Sequence, residues 1–168
     1  IQREFWLDVA EGGLTSLTGH ASFPNKPTGT GLLTRFEAPV NWNEHFGARI
    51  RGYVHPPKTD DYVFWMSADG YAELWLSTSE DPSQKTRIVT MKRWTPSRIW
   101  EKYPEQRSKL IRLEAGKRYY IEALQMEDTV DDCLAVGWTL PDGTMERPIP
   151  GTRLSTADEA TDNRASNR

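Results

Sequence analysis

Apolar and polar residues alternate along this chain in short bursts, and glycine, proline and aspartate separate the bursts. Between Phe46 and His55, the residues Phe46, Ala48, Ile50, Gly52 and Val54 fall on one side and Arg49, Arg51 and His55 on the other. That period of two predicts a strand with one face buried and one wet. The same pattern predicts strands at Glu4 to Asp8, Gly31 to Phe36, Asp61 to Ser67, Ala72 to Ser77, Arg87 to Met91, Lys109 to Glu114, Arg118 to Met126, Leu134 to Leu140 and Glu146 to Ile149. No window sustains the three-and-four spacing of an amphipathic helix. Turn-forming residues, among them Gly12-Gly13, Pro56-Pro57, Asp69-Gly70, Ala115-Gly116 and Pro141-Asp142-Gly143, interrupt the apolar runs. The expected fold is all-β, an antiparallel β-barrel or β-sandwich. Two less regular stretches, Glu11 to Thr30 and Lys92 to Ser108, are expected to be loops with short helices, the usual place for binding surfaces on such a scaffold.

The most informative segment runs from Asp60 to Ser77. Two apolar arms rich in Val, Tyr, Phe, Trp and Leu flank Ala68-Asp69-Gly70-Tyr71, and Asp-Gly is favoured where a tight hairpin needs positive φ. The expectation is a rigid hairpin with Asp69 at its tip. Composition then narrows the partners. A length of 168 residues suits one core-forming domain, placed at Ile1 to Ser155, and the polar end Thr156 to Arg168 reads as a linker or tail. The chain begins at Ile1 and is read as a piece of a longer protein. A net charge of −3 argues against nucleic acid as a partner. No apolar run approaches the roughly 20 residues needed to insert through a bilayer, and the single cysteine, Cys133, removes disulfides and cysteine-rich metal sites.

The order YVFWMSADGYAELWLS at Tyr62 to Ser77, RSKLIRLEAGKRYYIEAL at Arg107 to Leu124 and LAVGWTLPDGTMERPIPG at Leu134 to Gly151 resembles the PA-fourteen domain, first described in anthrax protective antigen, in the style of its bacterial members. The resemblance implies a non-catalytic module of secreted enzymes, toxins and adhesins, extracellular or at the cell surface, joined to other domains of the same polypeptide. Its lectin branch holds calcium on two consecutive aspartates, with a second loop and two sugar hydroxyls completing the shell. In this sequence the first aspartate aligns with Asp69 and the second position is Gly70.

The acidic loop from Glu127 to Asp132 is the other half of the expected site. Calcium takes about 6 to 8 oxygen ligands, so Asp128, Asp131 or Asp132 would have to join Asp69 if calcium is the cofactor; an acidic solvated turn is the simpler reading. Sugars offer an apolar face of C–H groups, which exposed aromatics stack against. Tyr71 beside Asp69 is the first candidate, followed by Trp94, Trp100 and Trp42 in irregular segments. At least half of Trp65, Trp75, Tyr120 and Trp138 should be core. Lys92 to Arg118 carries nine basic against three acidic residues, a charge that would attract an anionic glycan but is more simply read as balancing the acidic loops of the domain. The three histidines form no ligand motif, and neither a Gly-flanked nucleophilic serine nor a phosphate-cradling glycine loop occurs. The expected function is therefore a carbohydrate-binding, lectin-like module, with a structural or protein-interaction spacer as the alternative.

Overall fold

A computed structural model describes residues 1–127 and 132–156. Its elements are β1 (Gln2–Trp6), α1 (Leu14–Thr18), β2 (Gly29–Leu32), β3 (Phe46–Val54), β4 (Asp60–Ala68), β5 (Tyr71–Ser77), β6 (Lys85–Met91), β7 (Ile111–Leu113), β8 (Tyr119–Glu127), β9 (Leu134–Thr139), β10 (Met145–Glu146) and β11 (Leu154–Ser155). One sheet runs β2-β1-β3-β8-β5-β6, with β11 paired to the far end of β3, and the other runs β10-β9-β4-β7. Every pairing is antiparallel. The two sheets stay separate, so the sandwich, and not the barrel, is formed. Inward residues of both sheets, such as Ile50, Phe64, Met66, Leu74, Ile121, Val136 and Trp138, share one core. Trp138 and Tyr120 are buried while Trp65 and Trp75 are half-buried.

Each of the ten expected strands overlaps an observed one, although β2 and β10 end at Leu32 and Glu146, short of the expected Phe36 and Ile149; β11 was not expected, and α1 lies in the first irregular stretch. Two expectations need correction. Asp60 to Ser77 is not a hairpin: β4 pairs with β9 and β7, whereas β5 pairs with β8 and β6. The Asp69-Gly70 turn carries the chain from one sheet to the other. A turn signal reports a reversal, but its plane depends on which strands compete for the edges of the two arms, and distant β8 and β9 win both.

The outer face of β3 is wet only in part, with Arg49 buried and Arg51, Tyr53 and His55 half-buried. Arg49 and Arg51 point away from the core, as alternation requires, yet Glu4 of β1 accepts from Arg49 Nε at 2.6 Å and from Arg51 Nη2 at 2.8 Å. Arg49 also donates to the Pro24 carbonyl at 3.0 Å and lies beside Trp6 and Phe23, which leaves it 8% exposed. A small second core of Trp6, Val9, Leu17 and Met126 seals α1 onto the same face. Thr156, the first residue of the expected tail, is buried; the rest of that tail lies outside the described residues.

Candidate functional site

Four segments meet at one end of the sandwich: the Asp69-Gly70 turn, Val40-Asn41 ahead of β3, Trp94 to Ser97 after β6, and Asp132-Cys133 leading into β9. They enclose an open cleft of about 160 Å³. It is smaller than the roughly 300–1,000 Å³ typical of small-molecule pockets, a size suited to one ring.

Each wall is fixed by hydrogen bonds from residues of low apolarity. Thr95 is fully buried; its amide and hydroxyl each lie 3.0 Å from the Ala68 carbonyl, and the hydroxyl accepts from the Ala68 amide at 3.0 Å. Trp94, anchored by that neighbour, is 48% exposed, and the Lys102 ammonium sits 4.0 Å from its ring centroid. Farther along the same segment, buried Gln106 donates to the Met66 carbonyl at 3.0 Å and to that of Ile99 at 2.6 Å. The long loop is thereby laced along β4.

Opposite, Asp132 and Asn41 clamp two distant parts of the chain. The Asn41 amide donates to the Asp132 carbonyl at 3.0 Å, and the Asp132 amide to Asn41 Oδ1 at 3.3 Å. Asp132 Oδ2 accepts from the Trp42 amide at 2.5 Å and the Asn43 amide at 3.2 Å. Asp69 donates its amide to the Cys133 carbonyl at 3.0 Å, and its Oδ1 accepts from the Gly70 amide at 2.7 Å. Cys133, in the cleft wall, is held as a thiol: burial first, and the nearby Asp69 charge second, push its pKa up to about 12.

Of the residues singled out in the sequence, Asp69, Trp94 and Asp132 come together here, with Gly70 at the turn. Tyr71 does not line the cleft. It pairs with Met126 on the outer side of the larger sheet, its ring close against Gly13 near α1, and is 40% exposed. Trp100 is half-buried and outside the cleft wall. Asp128 and Asp131 lie outside the described residues. The site residues missing from the sequence reading are Asn41, Thr95 and Ser97. An asparagine ahead of a strand or a threonine after a tryptophan carries no motif, although the φ of +51° at Asn41 is a conformation that asparagine tolerates better than most residues.

The described donor set does not fit a calcium ion. Gly70 has φ +73°, and a Cβ there would come within 2.7 Å of the Met126 carbonyl oxygen, so the turn has no room for a second carboxylate. Asp132 spends Oδ2 on backbone amides. Among the described residues, no three His, Cys, Asp or Glu side chains converge on a metal position.

An antiparallel sandwich module whose loops build a small cleft at one end is the class that fold and site define. Within it, this chain belongs to the PA14 domain family, whose model matches residues 37–151. It is 30% identical over 158 residues to mouse N-acetyl-beta-glucosaminyl-glycoprotein 4-beta-N-acetylgalactosaminyltransferase 1, covering 91% of this chain and 14% of that protein. It is also 30% identical over 114 residues to dog fibrocystin, covering 58% of this chain and 3% of that protein. The chain thus spans a small part of the curated relatives it matches. Among solved structures, the PA14 sugar-binding domain from an RTX adhesin superposes with a TM-score of 0.68 at 8% identity, over 93% of this chain and 97% of that one. The Epithelial Adhesin 9 A domain of Candida glabrata, in complex with Galβ1-4GlcNAc, gives 0.59 at 11% identity, over 90% of each chain. At such identities these structures establish the fold.

Proposed function

We propose that this domain is a non-catalytic carbohydrate-binding module of a larger exported or cell-surface protein, and that its cleft takes the terminal ring of a glycan. The observation that carries this reading is the pairing of Asp69 with half-exposed Trp94 across a one-ring cleft: a carboxylate to accept from sugar hydroxyls, and an indole for the C–H face. Two structural relatives are a sugar-binding domain and an adhesin domain in complex with Galβ1-4GlcNAc, which supports a sugar-binding use of this fold. Cys133 in the cleft wall is held as a protonated thiol and so is not an activated nucleophile. So small a contact suits millimolar affinity, about −4 kcal/mol, with repetition in the parent protein supplying avidity.

A glycan array run with calcium and then with chelator tests this, followed by calorimetry on the best ligand. Asp69→Asn and Trp94→Ala should each weaken binding by about tenfold or more, roughly 1.4 kcal/mol, without changing the fold. Failure to bind any glycan in either buffer would overturn the proposal and leave the spacer or protein-interaction module.

A further inference from the structure

We propose that Arg3 is a positioning residue of this cleft, an internal cation that offsets the charge of Asp132 and, through Trp42, steadies the Val40-Asn41 wall, so that the glycan is taken without calcium. The inference rests on the carbohydrate-binding reading for its ligand, but its physical basis is separate.

Asp132 is 2% exposed and, among the described residues, forms no direct ion pair. Its Oδ2 is satisfied by the Trp42 and Asn43 amides, while its Oδ1 is buried with no hydrogen-bond donor among the described residues. A buried carboxylate in that condition needs a counter-charge, because burial removes the solvation that stabilises it. Arg3 is the cation at hand. It is 5% exposed, and its guanidinium carbon lies 4.2 Å from the ring centroid of Trp42, the residue whose amide Asp132 holds. Phe5 and Phe46 complete the cage at 5.3 and 5.7 Å. Arg3 Nε and Nη2 are buried without acceptors among the described residues. Burial depresses the guanidinium pKa and the Asp132 charge opposes that, which leaves the group cationic at neutral pH.

Trp42 is therefore gripped from two sides, by its ring and by its amide, and the two grips carry opposite charge. The wall of the cleft gains its rigidity from this arrangement. It also changes what Asp132 can do: a carboxylate already matched by an arginine and engaged to amides is a poor calcium ligand, and a divalent cation beside it would meet a buried positive charge. Gly70 removes the other carboxylate that a calcium shell would use. Arg3 lies in β1, outside the span matched by the family model.

The test uses the full chain and three variants, Arg3→Met, Asp132→Asn and the double variant. Asp132→Asn keeps an oxygen acceptor for the Trp42 amide while removing the charge. Expected results are no heat of calcium binding and no melting shift in millimolar calcium, and glycan affinity unchanged by chelator. Arg3→Met should lose about tenfold in affinity, and adding Asp132→Asn to it should recover part of that loss, because the unmatched charge is gone. Calcium binding by the wild type, chelator-sensitive glycan binding, wild-type affinity in Arg3→Met, or single-variant losses that simply add would each overturn the proposal. If Arg3→Met does not fold, folding of the double variant supports the charge role and its failure to fold overturns it. Should no glycan bind at all, the carbohydrate reading falls, while the calcium titration and the stability cycle of the same variants still decide this inference.

Discussion

Cys133 shows how much of a residue's chemistry is set by where the fold leaves it. It precedes β9, its Sγ 3.4 Å from the Thr95 carbonyl, next to Asp69 and Asp132. A thiolate there would be both desolvated and repelled, so the folded-state pKa rises from about 9 to about 12. The sign of the linkage follows: the folded state holds the proton more tightly, so this stabilisation is fully present below about pH 9 and is lost as pH climbs toward 12. Tyr120, raised by burial and by Glu122, acts in the same direction. Urea denaturation from pH 8 to pH 11 should show falling stability, with a shallower fall in Cys133→Ala; an equal slope would show that the thiol is not involved. Alkylation at pH 8 should be slow in the folded protein and fast in urea. At this scale the sequence was legible where a residue's chemistry and its loop position coincide. Asp69, Trp94 and Asp132 could be named because acids and an aromatic stood in turns and irregular segments. Tyr71 looked equally good and yet lies on Gly13, because the first residue of a strand can point to either side, and only the pairing with Met126 decides which.

At the scale of elements, the ladder joining β1 to β3 holds the larger sheet with charge as well as backbone. Glu4 opposes Arg49 in the register and receives both Arg49 and Arg51. Since Glu4 and Arg49 are both buried, removing one partner leaves a charge without its match, which costs far more than the pair contributes in place of an apolar one. Glu4→Ala should lower the unfolding free energy by about 3 kcal/mol, measured by urea denaturation. Asp60→Ala, which breaks the exposed pair with Arg112, should cost no more than about 1 kcal/mol; equal losses would refute the role of burial. The contrast also explains where sequence reading stopped. Alternation located every strand but the two-residue β11 and put Arg49 and Arg51 on the outer side of β3, but a period of two cannot tell whether a charged face meets water or another element. The Asp69-Gly70 turn was equally plain as a reversal. That it spans the two sheets depends on β8 and β9, some fifty or more residues downstream, and no local signal carries that information.

For the whole molecule, the basic run from Lys92 to Arg118 is in part balanced within the domain: Arg98 grips Glu37, Arg112 meets Asp60 and Arg118 meets Glu80. These contacts cross between distant segments and make the domain a single electrostatic unit. The same holds for packing at its N-terminal side. The family model begins at residue 37, yet β1 lies between β2 and β3 inside the larger sheet, and Trp6, Val9 and Leu17 cover Met126 of β8. A chain beginning at Glu37 would open the β3 ladder, strip Arg49 and Arg51 of Glu4, uncover the second core and leave Asp132 without Arg3. Each loss alone is of a size that a domain stable by about 5–15 kcal/mol could absorb, but together they exceed that margin. The 37–156 fragment should therefore show no cooperative urea transition and no near-ultraviolet circular dichroism signal, whereas the 1–156 fragment should melt at the temperature of the full chain. A cooperative 37–156 fragment would mean that the N-terminal strands decorate the sandwich; its absence would place the minimal folding unit at the first strand and not at the start of the family match.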